Sequence, residues 1–353
     1  MHAQPCQACR SIAKLVLFLY GLKMTPENHP PADSRSPAGK KPFVLAHLSD
    51  PHISNMGAVT IRDLFSKRLY GYLRWQLHRG TEHHGAVLSA LIDDLKHHRP
   101  DHVALTGDLT HLSLPAEFQN ARKWFQSIGP PHQVTVIPGN HDAYVPTEWS
   151  HSHAHWTDYM LSDDAPAPTG PSTGVYSVFP SWRVRGPIAV IGICTAHPSA
   201  PYLAVGSIGE DQMQRLEKIL DQATRRNLFR VILIHHPPAA GTVSWRKRLT
   251  DAAEFQALVQ QYGADLILHG HAHRAARNRL PVPGGNVQVV GAPSASAIGR
   301  SHQRMARYYI YRITPDSSGW NVDLTVRIYS PAAKAFITES EENFGTAYQA
   351  IRI

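Results

Sequence analysis

Cysteine is scarce in this chain: three in 353 residues, Cys6, Cys9 and Cys194. Three thiols cannot build a disulfide framework, and the lone C-x-x-C at Cys6 and Cys9 has neither a second pair nor a histidine pair to complete a zinc site. This argues against a disulfide-stapled secreted scaffold and for a reducing, cytoplasmic setting. Long apolar runs are missing as well. The best candidate, residues 12 to 22 behind Arg10 and Lys14, has the look of a signal-peptide core but is far too short to span a bilayer, so no transmembrane helix is expected. The P-loop pattern G-x-x-x-x-G-K-[ST] does not occur, which removes that route to nucleotide hydrolysis. A continuous basic stretch with interleaved aromatics is also lacking, as is any appended DNA-binding module, so nucleic acid is not an expected partner.

Apolar residues make up 42% of the chain, enough to close a core in one large domain or two small ones. Lys and Arg outnumber Asp and Glu by 35 to 27, a net charge of +8. The excess is spread thinly and suits a phosphate or an anionic surface without naming either. Histidine is the informative residue. There are 23, and neutral imidazole is the commonest protein ligand for zinc, iron and manganese-class ions.

Residues 1–41 end in a stretch rich in Pro, Ser, Ala and charge and read as a poorly ordered lead-in, with Met24 as an alternative start. From there Phe43 to Leu48, His102 to Thr106 and Gln133 to Ile137 are short apolar runs of the buried-strand type, separated by helical patterns at 84–98 and 115–128. Ile188 to Ile193, Arg230 to Ile234 and Asp265 to Leu268 continue the alternation, with helices near 208–226 and 249–262. Asn286 to Val290, Arg307 to Ile313 and Asn321 to Tyr329 are β-rich and predict a second sheet packed on the first. One domain over 42–330 follows, with 331–353 as a C-terminal tail.

Metal-binding residue types sit where almost every central strand ends: Asp50 and His52, Asp108, Asn140, His235, and the His269-Gly-His-Ala-His273 cluster. In open α/β sheets the loops beyond the strand C-termini form the ligand crevice, so residues far apart in sequence can meet there. Any one of these segments could be ordinary turn chemistry, because Asp and Gly favour turns. Five segments at five strand ends are not explained that way. Asp50 and His52 are two apart in what reads as an extended segment, which would put both side chains on one side; His271 and His273 repeat the spacing. Asp108 can offer one oxygen to each of two ions about 3.5–4 Å apart, the separation used in two-metal hydrolysis.

The series Asp50-x-His52, Gly107-Asp108, Gly139-Asn140-His141-Asp142, His235-His236 and Gly270-His271-x-His273 resembles the calcineurin-like metallophosphoesterase superfamily in order and spacing, over residues 43 to 275. The resemblance implies an α/β fold: a two-sheet β-sandwich flanked by helices, with the active site at the strand C-terminal ends. It implies one ion held by Asp50, His52, Asp108 and His273, and another by Asp108, Asn140, His235 and His271. His235 is taken over His236 because the family uses the first of the pair, and His269 is left as a strand-end or supporting residue. His141 would contact the substrate phosphate and stabilise or protonate the departing oxygen, with Asp142 orienting its ring. The two divalent ions would activate the attacking water; this donor set accepts manganese, iron, zinc or cobalt without choosing among them.

The substrate is less legible. At 100° per residue, Ile61, Phe65, Leu69 and Tyr72 share one face of segment 61–79, with Lys67, Arg74 and His78 opposite. Such a helix either caps the core or touches a membrane or a lipid-linked substrate; the resembled family has a branch that cleaves the diphosphate of a UDP-diacylglucosamine precursor, which would suit it. Phosphomonoester, cyclic-nucleotide and glycerophosphodiester hydrolysis fit the motifs equally. Trp149, His151, His153, His155 and Trp156 read as packing and surface residues, and Arg300 as an exposed arginine or a phosphate contact. Oligomeric state is not encoded in any pattern here. A non-catalytic scaffold should have lost ligands, and none is missing.

Overall fold

The first strand, β1 (Phe43–Leu48), is buried from Leu45 onward. The computed structural model describes residues 41–53, 68–69, 84–166, 174–299, 301–317 and 319–346. In chain order there follow α1 (Gly85–His98), β2 (His102–Leu105), α2 (Pro115–Ile128), β3 (Val134–Val136), β4 (Ser181–Arg185) and β5 (Ile188–Gly192). The second half gives α3 (Glu210–Arg225), β6 (Phe229–Leu233), α4 (Ala252–Tyr262), β7 (Leu266–His269), β8 (Ala276–Val282) and β9 (Gly285–Gly291). Three long strands close the described chain: β10 (Arg307–Asp316), β11 (Gly319–Ser330) and β12 (Ala335–Gly345).

Local chemistry sets the helix ends. Pro115 opens α2, where its missing N–H costs nothing, and the Glu117 carboxylate accepts the N–H groups of His111, Leu112 and Leu114. Helix α1 stops at Arg99, which turns left-handed (φ 46°) just before Pro100.

The strands form two six-stranded sheets, β12-β11-β10-β1-β2-β3 and β4-β5-β6-β7-β9-β8. β1, β2 and β3 run parallel, as do β5, β6, β7 and β9; the outer strands are antiparallel. Period-two alternation divides the apolar residues. Ile188, Val190, Val231 and Leu268 join Leu45, Leu105 and Val136 in the core shared by both sheets. Ile191, Ile232 and Ile267 instead meet Leu216 and Leu220 of α3 and Phe255 and Val259 of α4. Each such side chain contributes about 1.5–3 kcal/mol of burial, which makes this alternation the main determinant of register.

The partition into sheets differs from the one expected. The β-rich tail does not make a separate sheet: β9 extends the second parallel set, β10 pairs back onto β1, and β11 pairs on the far side of β10. The domain also runs past 330, because β12 pairs along β11 from Ala335 to Gly345. β4, β8 and β12 had no sequence reading as strands. All three are edge strands, where one side is left to solvent and Arg, Asn and Glu interrupt the apolar pattern. The expected helix over 61–79 lies outside the described residues except for Arg68 and Leu69, as do residues 1–40 and Arg300. Arg68 donates to the carbonyls of Leu112 and Ser113 (2.9 and 2.7 Å), and Leu69 is exposed. Among the described residues no helix is long and apolar enough to cross a membrane.

A buried ion pair ties the start of β6 to the start of β7. Asp265 accepts from the Arg230 backbone N–H and from Nε, both at 2.8 Å, and the two side chains are only 1% and 5% exposed. Asp265→Ala removes the carboxylate from a buried guanidinium, leaving it the Thr224 hydroxyl and the Tyr262 carbonyl as neutral acceptors, and should cost about 3–5 kcal/mol in urea unfolding. A loss under about 1 kcal/mol would show that water reaches Arg230.

Candidate metal centre

Asp50 and His52 follow β1, Asp108 follows β2, Asn140 follows β3, His235 follows β6, and His271 and His273 follow β7. The first four therefore belong to one sheet and the last three to the other. Past the strand ends the chains keep bonding: Asp50 N–H donates to Gly107 O (2.9 Å) and His52 N–H to Asp108 O (3.1 Å). Bonds also cross between the sheets. His235 Nδ1–H donates to Thr106 O (2.6 Å), and the His271 N–H donates to the Asp50 carboxylate at 3.1 and 3.2 Å.

The side chains converge by a different route from the extended spacing read in the sequence. Asp50, His52, Asp108, His271 and His273 all have positive φ, from 42° to 66°. Left-handed backbone beyond the strand ends breaks the extended alternation on which the period-two spacing relies. Two glycines make room. A Cβ on Gly139 would stand 2.3 Å from Asp108 Oδ1, and one on Gly270 would stand 1.9 Å from Ser49 Oγ and 2.3 Å from Asp50 Oδ2.

Two donor clusters result, Asp50–His52–Asp108–His273 and Asp108–His235–His271, each with its ligand atoms within 4.8 Å of one another. Asp108 belongs to both. Asn140 joins the second, its Oδ1 lying 3.2 Å from His235 Nε2. The hydrogen bonds around the rings fit a cation. His52 Nδ1, His235 Nδ1 and His271 Nε2 each face a backbone carbonyl, of Thr110, Thr106 and Lys247, and must donate to it. In the neutral ring the other nitrogen then carries a lone pair. For His235 that nitrogen faces Asn140 Oδ1 and, at 3.4 Å, Asp108 Oδ1. Two oxygens so close to a nitrogen lone pair repel it unless a proton or a metal ion lies among them. His52 Nε2 lies 3.2 Å from His273 Nε2, which is itself 3.2 Å from Asp50 Oδ1.

The electrostatics agree. Burial pushes the Asp108 carboxyl up, but the rings of His235, His141 and His52 together outweigh it and hold the group well below the usual carboxylate range. Burial pulls His235 down, and the Asp108 charge beside it overcomes this and lifts the ring to about 9. His271 is held well below the ordinary histidine value by burial and by His236 and His235. All the donors but His273 are buried, so access is from the side where His273 and the half-buried His141 lie.

His141 sits at this opening, its ring 5.0 Å from that of His52 and stacked on Tyr144 at 5.6 Å. It is not oriented by Asp142, as the sequence reading had it. His141 Nδ1–H donates to the His111 carbonyl (2.7 Å), whereas the Asp142 carboxylate accepts from the N–H groups of Gly139, Leu109 and Thr110 and from the Thr110 hydroxyl. Four donors converge on that buried carboxylate, which fastens the loop after β3 to the loop after β2. Burial, and then the charge of Asp108, push it up to about 7 against the pull of the amides.

His236 is in neither donor cluster: its Nδ1 faces Thr195 Oγ1 (2.7 Å) while its ring packs on that of His271 at 4.4 Å, and His269, the last residue of β7, stands against Gly291. His153 is buried between Phe118 and Trp156, a packing residue. Sequence reasoning missed His111, whose ring stacks on His52 at 4.9 Å and whose Nε2–H donates to the His52 carbonyl (3.1 Å). It also missed Ser294, whose hydroxyl donates to the Asp50 carbonyl (2.6 Å). The buried glutamate three residues into α2 was the available clue to His111, because Glu117 fixes the loop that carries it.

Residues 43–275 match the family described as Calcineurin-like phosphoesterase, and the chain belongs to that family. The "Probable cyclic nucleotide phosphodiesterase" of Synechococcus sp. is 27% identical over 190 residues, 53% of this chain and 63% of that one. The chain thus spans less than two thirds of that relative's length. A protein of the same name from Vesicomyosocius okutanii is 24% identical over 226 residues, covering 63% of this chain and 82% of that one. Among solved structures, a dimetal phosphatase from Danio rerio superposes with a TM-score of 0.53 at 11% identity, over 85% of this chain and 99% of that one, a likeness of fold.

Gly270→Ala drives a methyl group into Ser49 and Asp50. It should lower metal affinity by about tenfold or more, as loss of supporting geometry around ligands commonly does, while circular dichroism stays like the parent's. Parent-like affinity in a folded variant would show that the Asp50 loop can retreat without cost.

Proposed function

We propose that the protein is a dinuclear-metal-dependent phosphodiesterase that hydrolyses a small phosphodiester. The observation that carries this is Asp108, a buried carboxylate common to two histidine-rich donor clusters. In this reading Asp50, His52, Asp108 and His273 hold one divalent ion, and Asp108, Asn140, His235 and His271 the other. When bound, the ions neutralise phosphoryl charge and acidify water. The oxygen- and nitrogen-donor set suits manganese, iron, zinc or cobalt.

The chain's own groups supply the rest. With His141 Nδ1–H fixed on the His111 carbonyl, Nε2 is the atom that can carry a proton to the departing oxygen. Asp142 acts on the backbone, holding the His141 loop against the Asp108 loop. Support for a diester comes from the two relatives named as cyclic nucleotide phosphodiesterases. A lipid-linked diphosphate draws on segment 61–79 and gains no support from the described residues.

The test is hydrolysis by protein reconstituted with each metal, offered 3′,5′-cyclic AMP, glycerophosphoethanolamine, bis-p-nitrophenyl phosphate and an acylated nucleoside diphosphate. Turnover of a diester is expected, and no diester turnover with any of the four metals would sink the proposal. Asp108→Ala should abolish turnover and lower metal content in a folded protein; two tightly held ions in that variant would refute the shared ligand. His141→Ala should keep its metal while kcat falls by roughly 10² to 10⁴. Loss of metal in step with activity would make His141 a ligand instead.

A further inference from the structure

We infer that the loop 242–248, with Trp245 at its tip, is a recognition rim for the aromatic base of a nucleotide phosphodiester, an inference that rests on the phosphodiesterase reading. Both roots of the loop are bonded to the segment that carries the last two donors. Lys247 O accepts from His271 Nε2 at 3.0 Å, and Thr242 O accepts from Arg274, the residue after His273, at 2.7 Å. The two roots of the loop therefore lie beside the segment that carries His271 and His273.

The tip pairs an exposed aromatic with cations. Trp245 is 62% exposed, although a single indole can bury enough apolar area to dominate a contact. The Arg246 guanidinium lies over its ring at 5.4 Å, and Lys247 and Arg248 follow, so three consecutive cations flank one flat aromatic. The loop after β5 is pinned against this one by Ala204 N–H to Arg246 O (2.9 Å) and Gly206 N–H to Arg248 O (3.1 Å). It adds Tyr202, 69% exposed and left-handed at φ 66°. A planar base stacks on an indole whatever its sequence identity, and the cations suit the phosphate joined to it. A glycerol or ethanolamine diester has no ring to place there.

The experiment compares the metal-loaded parent, Trp245→Ala and Trp245→Phe in calorimetric titrations with 5′-AMP and with glycerol 3-phosphate. The parent should bind AMP more tightly. Trp245→Ala should cut the AMP preference about tenfold, within the range that base stacking on an aromatic contributes, and Trp245→Phe should restore most of it. The selectivity ratio in kcat/KM between cyclic AMP and glycerophosphoethanolamine should shift by the same factor. A parent that binds AMP no tighter than glycerol 3-phosphate, or an unchanged preference in Trp245→Ala, overturns the inference. So does an indole emission shift on phosphatidylglycerol vesicles that Trp245→Ala removes, since the tip would then face a lipid surface. Binding separates the two levels of the argument: AMP preference without diester turnover would leave the rim standing and remove the phosphodiesterase reading.

Discussion

One buried carboxylate sets the terms for the whole centre. Asp108 is 1% exposed, and its two oxygens lie toward His235 and His52 on opposite sides, at 3.4 and 3.8 Å. A bare carboxylate so far from water would cost several kcal/mol, and it remains ionised only because positive charge is brought to it. The surrounding chain does this from every direction. The His141 amide donates to Oδ1 at 2.8 Å, the imidazoles converge from both sheets, and Gly139 lets the backbone close in where a Cβ would collide.

Convergence of this kind is not a low-energy state of the loops themselves. Five donor residues hold left-handed backbones, each costing about 1 kcal/mol or more, a sum near the low end of a domain's whole net stability. The loops keep these conformations because neighbours over-determine them. Asp142 fastens two loops through four donors, Ser294 holds the Asp50 carbonyl, and His111 braces both His52 and His141. Strain concentrates where several independent bonds can oppose it.

The sequence made the parts legible unevenly, for physical reasons. β1 and α2 were readable almost to the residue, since an unbroken apolar run and a Pro–x–Glu helix start are local signals. The donors were readable because five polar blocks each ended an apolar run. The left-handed turns that aim Asp50, His52, His271 and His273 were not, since Asp and His tolerate either hand and only tertiary contacts choose. Asp142 was misassigned for a similar reason. A carboxylate beside a histidine suggests an orienting pair, but the turn after β3 points it at three amides instead. The distribution of strands between two sheets could not be read at all. β2 and β7 are both four-residue, fully buried strands, and long-range pairing, β2 on β1 and β7 on β6, assigns them to different sheets.

That unreadable partition is what gives the centre its character. Because Asp50, His52, Asp108 and Asn140 hang from one sheet and His235, His271 and His273 from the other, the donors meet across a sheet–sheet junction. The same junction is sewn by His235 on Thr106, by His271 on Asp50 and by the Ala295 N–H on Ser49 O at 2.9 Å. Any cation held there would be gripped from both sides, so its binding energy would add to the cohesion of the two sheets as well as to the site. The rim at 242–248 stands on the same junction through His271 and Arg274. Two side-chain-to-carbonyl hydrogen bonds, from His271 and Arg274, join this loop to the segment after β7, so a cation that shifts that segment must also shift the proposed rim.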